Sequence, residues 1–303
     1  MTRTRTRRLT VGGVLLGAVV LLWLLFWPVT YWLGGADLDH LGAQDRLAAI
    51  STIRGQVATV LSAAFVGGGL YYTGRKFFLD RDKQFTDRFN SAIDHLGSGE
   101  ETVRAGGVRA LDRILHDSPG DRNRVLESLT GFLRHRTSGS GRSGDDDINA
   151  AVAALRDRGT PSKRLTENAL DLRKVRLSDA NLRGISLHRA DLGQADLAGA
   201  ALAGADLHAA RLHQATLINT DLTGADLTGA DLRSVRFVRA DLSGAVLTGA
   251  DLAEADLSGA NLTGADLRAT DLTRAGGLTA EQIGSATTDP ATILPPHLGT
   301  TTA

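Results

Sequence analysis

The sequence predicts a β-solenoid of five-residue repeats, preceded by an α-helical connector and two membrane-spanning helices. Three observations predict it. From Leu172 to Leu272 every fifth residue is large and apolar, 20 Leu and Phe237 across 21 consecutive positions. The residue two before each is small, Ala in fifteen of the 21 cases, and a polar residue, most often Asp, stands between them. Nearer the N-terminus, two uncharged apolar runs extend over 9–36 and 55–74.

Taken in chain order, the first run follows Arg3, Arg5, Arg7 and Arg8 and is rich in Val, Leu and Trp. At ~1.5 Å rise per residue, about 20 helical residues cross a hydrocarbon core, so a span over about 9–33 is expected, with Trp27, Tyr31 and Trp32 at an interface. A second span is expected over about 55–74, between Arg54 and Arg75. Positive charge clusters before the first run and after the second, which places both termini in the cytoplasm. Residues 1–76 therefore read as a hairpin in a lipid bilayer, making the protein a multi-pass protein of the cell membrane.

Residues 77–165 read as an α-helical connector. Phe85, Phe89, Ile93 and Leu96 form one helical stripe, which Gly97 and Gly99 end. Val108, Leu111, Ile114 and Leu115 mark a second helix, stopped before Ser118-Pro119-Gly120; Val125, Leu129, Phe132 and Leu133 mark a third. A Ser/Gly-rich linker near 137–147 precedes a fourth helix carrying Ile148, Val152 and Leu155, with Asp145 to Asp147 able to cap it. His95, His116 and His135 read as surface residues, since no pair has the i, i+4 spacing of helical metal ligands.

Residues 166–276 carry the ladder. A five-residue period drifts around a helix of 3.6 residues per turn, so the apolar positions cannot form a helix face. Each repeat is locally in-out-in, the alternation of a short strand, followed by two turn-forming positions often holding Gly. Repeats of this kind stack into solenoids, which bind more often than they catalyse.

The ladder, with the text Asp87-Arg-Phe-Asn-Ser-Ala-Ile-Asp-His-Leu-Gly97, Val103-Arg-Ala-Gly-Gly-Val-Arg-Ala-Leu-Asp-Arg-Ile114 and Asp117-Ser-Pro119, resembles bacterial membrane-anchored pentapeptide-repeat proteins, many of them actinobacterial. The resemblance covers roughly residues 50–300. It implies a right-handed quadrilateral β-helix with four pentapeptides per 20-residue coil. Twenty-one repeats then make about five coils, a rod roughly 25 Å long at ~4.8 Å between coils. Leu170, Val175 and Ile185 in place of Ala suggest a wider first coil against the connector. Residues 277–303 read as a capping segment and tail: Leu278 to Ile283 as a short helix capped by Thr279, and Thr292 to Leu298 as the closing segment.

A 20-residue coil aligns outer residues into columns, one being Asp171, Asp191, Arg211, Asp231, Asp251 and Asp271, another Arg176, Asp196, Thr216, Arg236 and Asp256. These Asp residues read mainly as acceptors for turn backbone. From Asp171 to Arg274 there are 14 acidic against 11 basic residues, a balance of −3. So weak a charge imitates duplex DNA, with one charge per ~1.7 Å, poorly, and the whole chain is formally neutral, which argues against a nucleic-acid partner. There is no Cys, hence no disulfide or thiolate metal site. His188 and His208, one coil apart with His213 close in sequence, lack a surrounding carboxylate constellation. With no nucleophile–base pair, phosphate loop or paired carboxylates in a cleft, neither an enzyme nor a cofactor is expected.

One face departs from the pattern. Ile218 and Val238 occupy outward positions in adjacent coils, with Arg233, Arg236 and Arg239 around them and Phe237 behind. Apolar residues rimmed by Arg make a candidate partner patch. The sequence thus predicts a membrane-anchored, non-catalytic scaffold binding an unidentified protein on the cytoplasmic side. The alternative is a DNA-mimicking regulator of a DNA enzyme such as gyrase.

Overall fold

A computed structural model describes residues 42–138, 144–156 and 169–298. The chain divides into two compact units, 1–83 and 84–303. Helix α1 runs Ala43–Leu96, without a break between the two apolar stretches expected at 55–74 and 85–96. It is followed by α2 (Glu101–Asp117), α3 (Arg122–Ser138), α4 (Asp146–Arg156) and, after the repeats, α5 (Ala280–Ser285).

The expected membrane hairpin, and with it the multi-pass membrane localisation, is overturned for the part that can be seen. No helix among the described residues is long and apolar enough to cross a membrane. The physical reason lies in the run at 55–74. Gln56, Thr59, Ser62 and the triplet Gly67 to Gly69 dilute its Val, Leu and Phe, and these residues contribute little transfer energy to hydrocarbon. The first expected span, 9–33, lies outside the described residues.

In the second unit, the C-terminal part of α1 packs with α2, α3 and α4 into a helical layer. The stripes face inward: of the first, Phe89 is buried while Phe85, Ile93 and Leu96 are partly buried against the same core, and Val108, Leu111 and Leu115, Val125, Leu129 and Leu133, and Ile148, Val152 and Leu155 are all buried. Gly107 sets how closely α2 approaches α1. A Cβ there would meet the Ala92 carbonyl at 2.8 Å and the His95 Cβ at 2.9 Å. At the end of α2, the Ser118 N–H donates to the Ile114 carbonyl at 2.9 Å, and a 3₁₀ turn over Pro119–Asp121 leads into α3.

Asp147 has no exposed surface, unlike an ordinary capping carboxylate. It accepts from Arg104 Nε at 2.5 Å and Arg136 Nε at 2.9 Å, while Arg136 also reaches Asp145 at 3.0 Å. Arg104 turns its other nitrogen to the carbonyls of Ser98 and Gly99. One buried carboxylate thereby ties together the loop after α1, the start of α2, the end of α3 and the start of α4. Burial pushes the Asp147 carboxyl up, but the hydrogen bonds from Arg104 and Arg136 outweigh it and hold the group below its ordinary range.

The repeats form coils of 20 residues. Parallel bridges link Asp171 to Asp191, Arg176 to Asp196, Asn181 to Ala201 and Ser186 to Asp206, and the four columns continue to Asp271, Gly276, Asn261 and Asp266. These are isolated bridges rather than extended strands, because three residues of each repeat span a face and the other two turn the corner. Leu and Ala at the inward positions are 0–4 % exposed from Ala180 to Leu272. Phe237 is fully buried where Leu stands elsewhere, and Thr220 and Thr270 replace Ala by donating to the carbonyls of Leu197 (2.9 Å) and Leu247 (3.1 Å).

Every backbone donor of a typical repeat has a partner, as buried amides require. In the repeat Ala230 to Ser234, Asp231 N donates to Ala210 O of the preceding coil, and Leu232 N and Ser234 N donate to Asp251 O and Ala253 O of the following one. Val235 N closes the turn on Leu232 O. The remaining N–H, of Arg233, donates to Oδ1 of Asp231. Asp191, Asp196, Asp226, Asp241 and Asp251 serve the same purpose in their own repeats. This is why Asp precedes Leu so often: the turn has one orphan donor, two residues on, and a short carboxylate reaches it.

The fifth position takes positive φ throughout, from Lys174 at 59° to Arg274 at 60°. Gly fills it at Gly184, Gly199 and Gly204, but Gln194, Gln214, Ser234 and Ala269 also adopt it. Coil-to-coil hydrogen bonds hold these residues in a region that costs a non-Gly residue ~1–2 kcal/mol.

Both ends of the ladder are covered. At the start, Arg176 N donates to Oγ1 of the buried Thr137 at 3.1 Å, taking from α3 the acceptor that a preceding coil would supply. At the other end, Thr279 and Gln282 form a capping box at α5, and Gln282 Nε2 donates to the carbonyls of Leu257 and Ala260. Thr287 and Ile293 extend two bridge columns, and Asp289 Oδ1 accepts from Ala269 N at 2.8 Å. Edges that would invite pairing with another chain are thereby occupied.

Candidate interaction faces

With the interior filled by Leu and Ala, the chemistry of the rod lies on its faces. On the column from Asp171 to Asp271, Arg173 pairs with Asp171 at 2.9 Å, Arg211 with Asp191 at 3.0 Å and Arg233 with Asp231 at 2.8 Å. Elsewhere Arg183 reaches Asp221 at 2.7 Å, Arg268 pairs with Asp266 at 2.6 Å and Arg274 with Glu254 at 2.9 Å. These pairs are partly exposed, so each is worth about 0–1 kcal/mol. They also set the carboxylates. The Arg268 side chain holds the Asp266 carboxyl down to about 2. Hydrogen bonds from Arg173 and Arg233 keep Asp171 and Asp231 below their usual range, and the Thr223 hydroxyl does the same for Asp221.

Ile218 and Val238 lie in register on adjacent coils, since Thr216 bridges to Arg236 and Asn219 N donates to Val238 O at 3.0 Å. Both are half-buried. Arg236 and Arg239 are exposed on the same two repeats. Arg233 is set apart: it sits one repeat earlier, engaged with Asp231 and, at 3.6 Å, Asp251. The five residues thus split into four that share a face and one that belongs to the neighbouring ion-pair column.

A feature that sequence reading passed over singles out the same face. In the coils on either side, Asp196 and Asp256 accept the N–H of Ala198 and Ser258. Thr216 and Arg236 stand at the equivalent positions before Ile218 and Val238, so two successive turns lack the carboxylate acceptor. The signal was present as two successive breaks, at Thr216 and Arg236, in a column with Asp at 196 and 256. The most exposed apolar residues of this end of the chain lie elsewhere, Val246 at 37 % between Asp226 and Asp266, and Ile293 at 52 % in the capping segment.

His188 and His208 stack on adjacent coils, with ring centroids 5.1 Å apart and planes 2° from parallel. Among the described residues no group of three or more His, Asp or Glu side chains is arranged to hold a metal ion.

The family model for pentapeptide repeats matches in eight copies, over residues 171–208, 205–244 and 240–275. Among curated proteins, no match is found. Solved structures with a similar fold include a pentapeptide repeat protein from the Arabidopsis thaliana thylakoid lumen, 31 % identical over 41 % of this chain and 79 % of that one, with a TM-score of 0.24. HetL of Nostoc, a pentapeptide repeat protein involved in heterocyst differentiation regulation, is 30 % identical over 40 % of this chain and 70 % of its own, with a TM-score of 0.16. The plasmid-mediated fluoroquinolone resistance protein QnrB1 is 22 % identical over 39 % of this chain and 57 % of its own, with a TM-score of 0.25. Superpositions this weak assign no activity or partner. The repeat written on every coil and the match over 171–275 nevertheless agree: the chain belongs to the pentapeptide-repeat family.

Proposed function

We propose that this protein is a non-catalytic interaction scaffold whose repeat rod binds a protein partner through the face carrying Ile218, Val238, Arg236 and Arg239. The observation that carries the reading is the coincidence, on two adjacent coils, of half-buried apolar side chains, exposed Arg and missing turn carboxylates. A core residue there would be explained by packing, but these positions point outward and are only half-buried. Partner surfaces favour apolar groups rimmed by Arg.

DNA mimicry fits less well. The Asp residues that would imitate phosphates accept turn N–H groups, and Arg173, Arg183, Arg211, Arg233 and Arg268 neutralise several of them. The test replaces Ile218 and Val238 together by Asp and compares proteins recovered with the wild-type and variant chains from native cells. Selective loss of a stoichiometric partner is expected. An unchanged set of partners would sink the reading, and inhibition of gyrase supercoiling by the wild-type chain would favour mimicry instead.

A further inference from the structure

A cleft in the helical layer has chemistry that the rod does not use. It lies between the C-terminal part of α1 and α2, with a volume of about 620 Å³, and its walls carry Arg88, His95, Arg109 and Arg113. Its lining also includes the apolar Ala92, Ala110 and Ile114. Gly107 brings the two helices close enough for side chains from both to face one space.

Arg104, Arg134 and Arg136 of the same layer are each bonded to a carboxylate. Among the described residues, Arg88, Arg109 and Arg113 have no carboxylate oxygen within 4.0 Å. Arg109 and Arg113 stand at i, i+4 on one helix, where like charges repel. Asp87 is the one carboxylate in the lining, against three guanidiniums. Positive charge beside an apolar lining is matched by an anion with an apolar body.

We propose that this cleft binds a phosphate ester with an aromatic or aliphatic body, the phosphate held by Arg88, Arg109 and Arg113 and the body laid on Ala92, Ala110 and Ile114. A guanidinium fork meets phosphate oxygens bidentately, and a tetrahedral dianion accepts from several directions at once, as donors on two helices require. The volume falls within the ~300–1,000 Å³ of small-ligand sites.

The test titrates the full chain with 1-naphthyl phosphate, 1-naphthol and inorganic phosphate, followed by naphthyl fluorescence and calorimetry. The ester is expected to bind at least about tenfold more tightly than either half, with Kd on the order of 1 mM or below. Arg109→Ser with Arg113→Ser should abolish binding while far-ultraviolet circular dichroism stays unchanged. Arg268→Ser, which removes a paired Arg of the rod, should leave binding intact. Adenosine monophosphate and phosphotyrosine amide then separate a nucleotide source from a phosphorylated side chain, the tighter of the two naming it. Equal binding by the double variant, binding no tighter than that of inorganic phosphate, or no binding of the ester at all would overturn the proposal.

Discussion

The rod and the helical layer reach stability by opposite routes. In the rod a typical repeat satisfies its own turn, through Asp to the N–H two residues on and through a bond such as Val235 N to Leu232 O, and then adds matching bonds to the coils on either side. In the helical layer no helix carries enough apolar surface to stand alone. Its arrangement depends on contacts far apart in sequence, above all Asp147 with Arg104 and Arg136. The difference teaches where mutation should be local in effect and where it should spread. Loss of one carboxylate on the rod leaves neighbouring coils intact, whereas loss of Asp147 removes the one partner that Arg104 and Arg136 share across two helices.

The largest effect is expected there. Asp147→Ala leaves Arg104 without a carboxylate and Arg136 with Asp145 alone, and should cost about 3–5 kcal/mol, as breaking a buried ion pair does. Urea unfolding followed by helical circular dichroism measures it; a loss below about 1 kcal/mol would mean that the network is ornamental to the fold. In the middle of the rod, Leu227→Ala removes a fully buried side chain and should cost about 2–5 kcal/mol. The rod prediction fails if hydrogen exchange shows protection lost evenly across all coils rather than concentrated around residue 227.

Acid separates the surfaces of the rod from its core. Asp266 titrates at about 2, and Asp171, Asp221 and Asp231 also lie below the ordinary 3.8. A carboxyl with a depressed folded pKa contributes stability that is complete above its unfolded value and is lost as pH falls through the folded one. The melting temperature should therefore hold from pH 7 down to about 4 and decline between about 4 and 2. A decline that begins above pH 5 would contradict it.

Smaller effects probe single turns. Asp231→Ala removes the acceptor for Arg233 N and should cost about 0.5–1.5 kcal/mol, while Asp231→Asn should cost less, because it loses the ion pair with Arg233 but keeps the turn acceptor, as Asn261 does for Thr263 N. At the corner, Ser234→Gly relieves a residue held at φ 55° and should stabilise by about 0.5 kcal/mol after the extra flexibility of the unfolded chain is subtracted. Thermal unfolding of both variants beside wild type decides the sign.

Much of this was legible from the chain. The stripes of the connector helices, the start of α5 at Thr279 and the stop before Ser118 all follow from local chemistry. The 20-residue columns, although they join residues far apart, came from counting once the family resemblance supplied four repeats per coil. One reading did not survive. The apolar run at 55–74 looked like a membrane span by composition, yet it belongs to one helix that continues to Leu96 and is too dilute to cross a bilayer. The ion pair of Arg233, grouped in the sequence with Ile218 and Val238, was not legible: it bonds Asp231, because side-chain geometry chooses an ion-pair partner.

By itself the sequence determined the period, the inward Leu and Ala, the Asp beside each turn and the family, since each depends on interactions within a few residues or repeated identically at every coil. Only the tertiary structure decided which carboxylate is buried, how α3 lends Thr137 to the first coil, and that Arg88, Arg109 and Arg113 share one cleft. Those features join single, non-repeating residues across long stretches of chain, and no local periodicity encodes such a meeting.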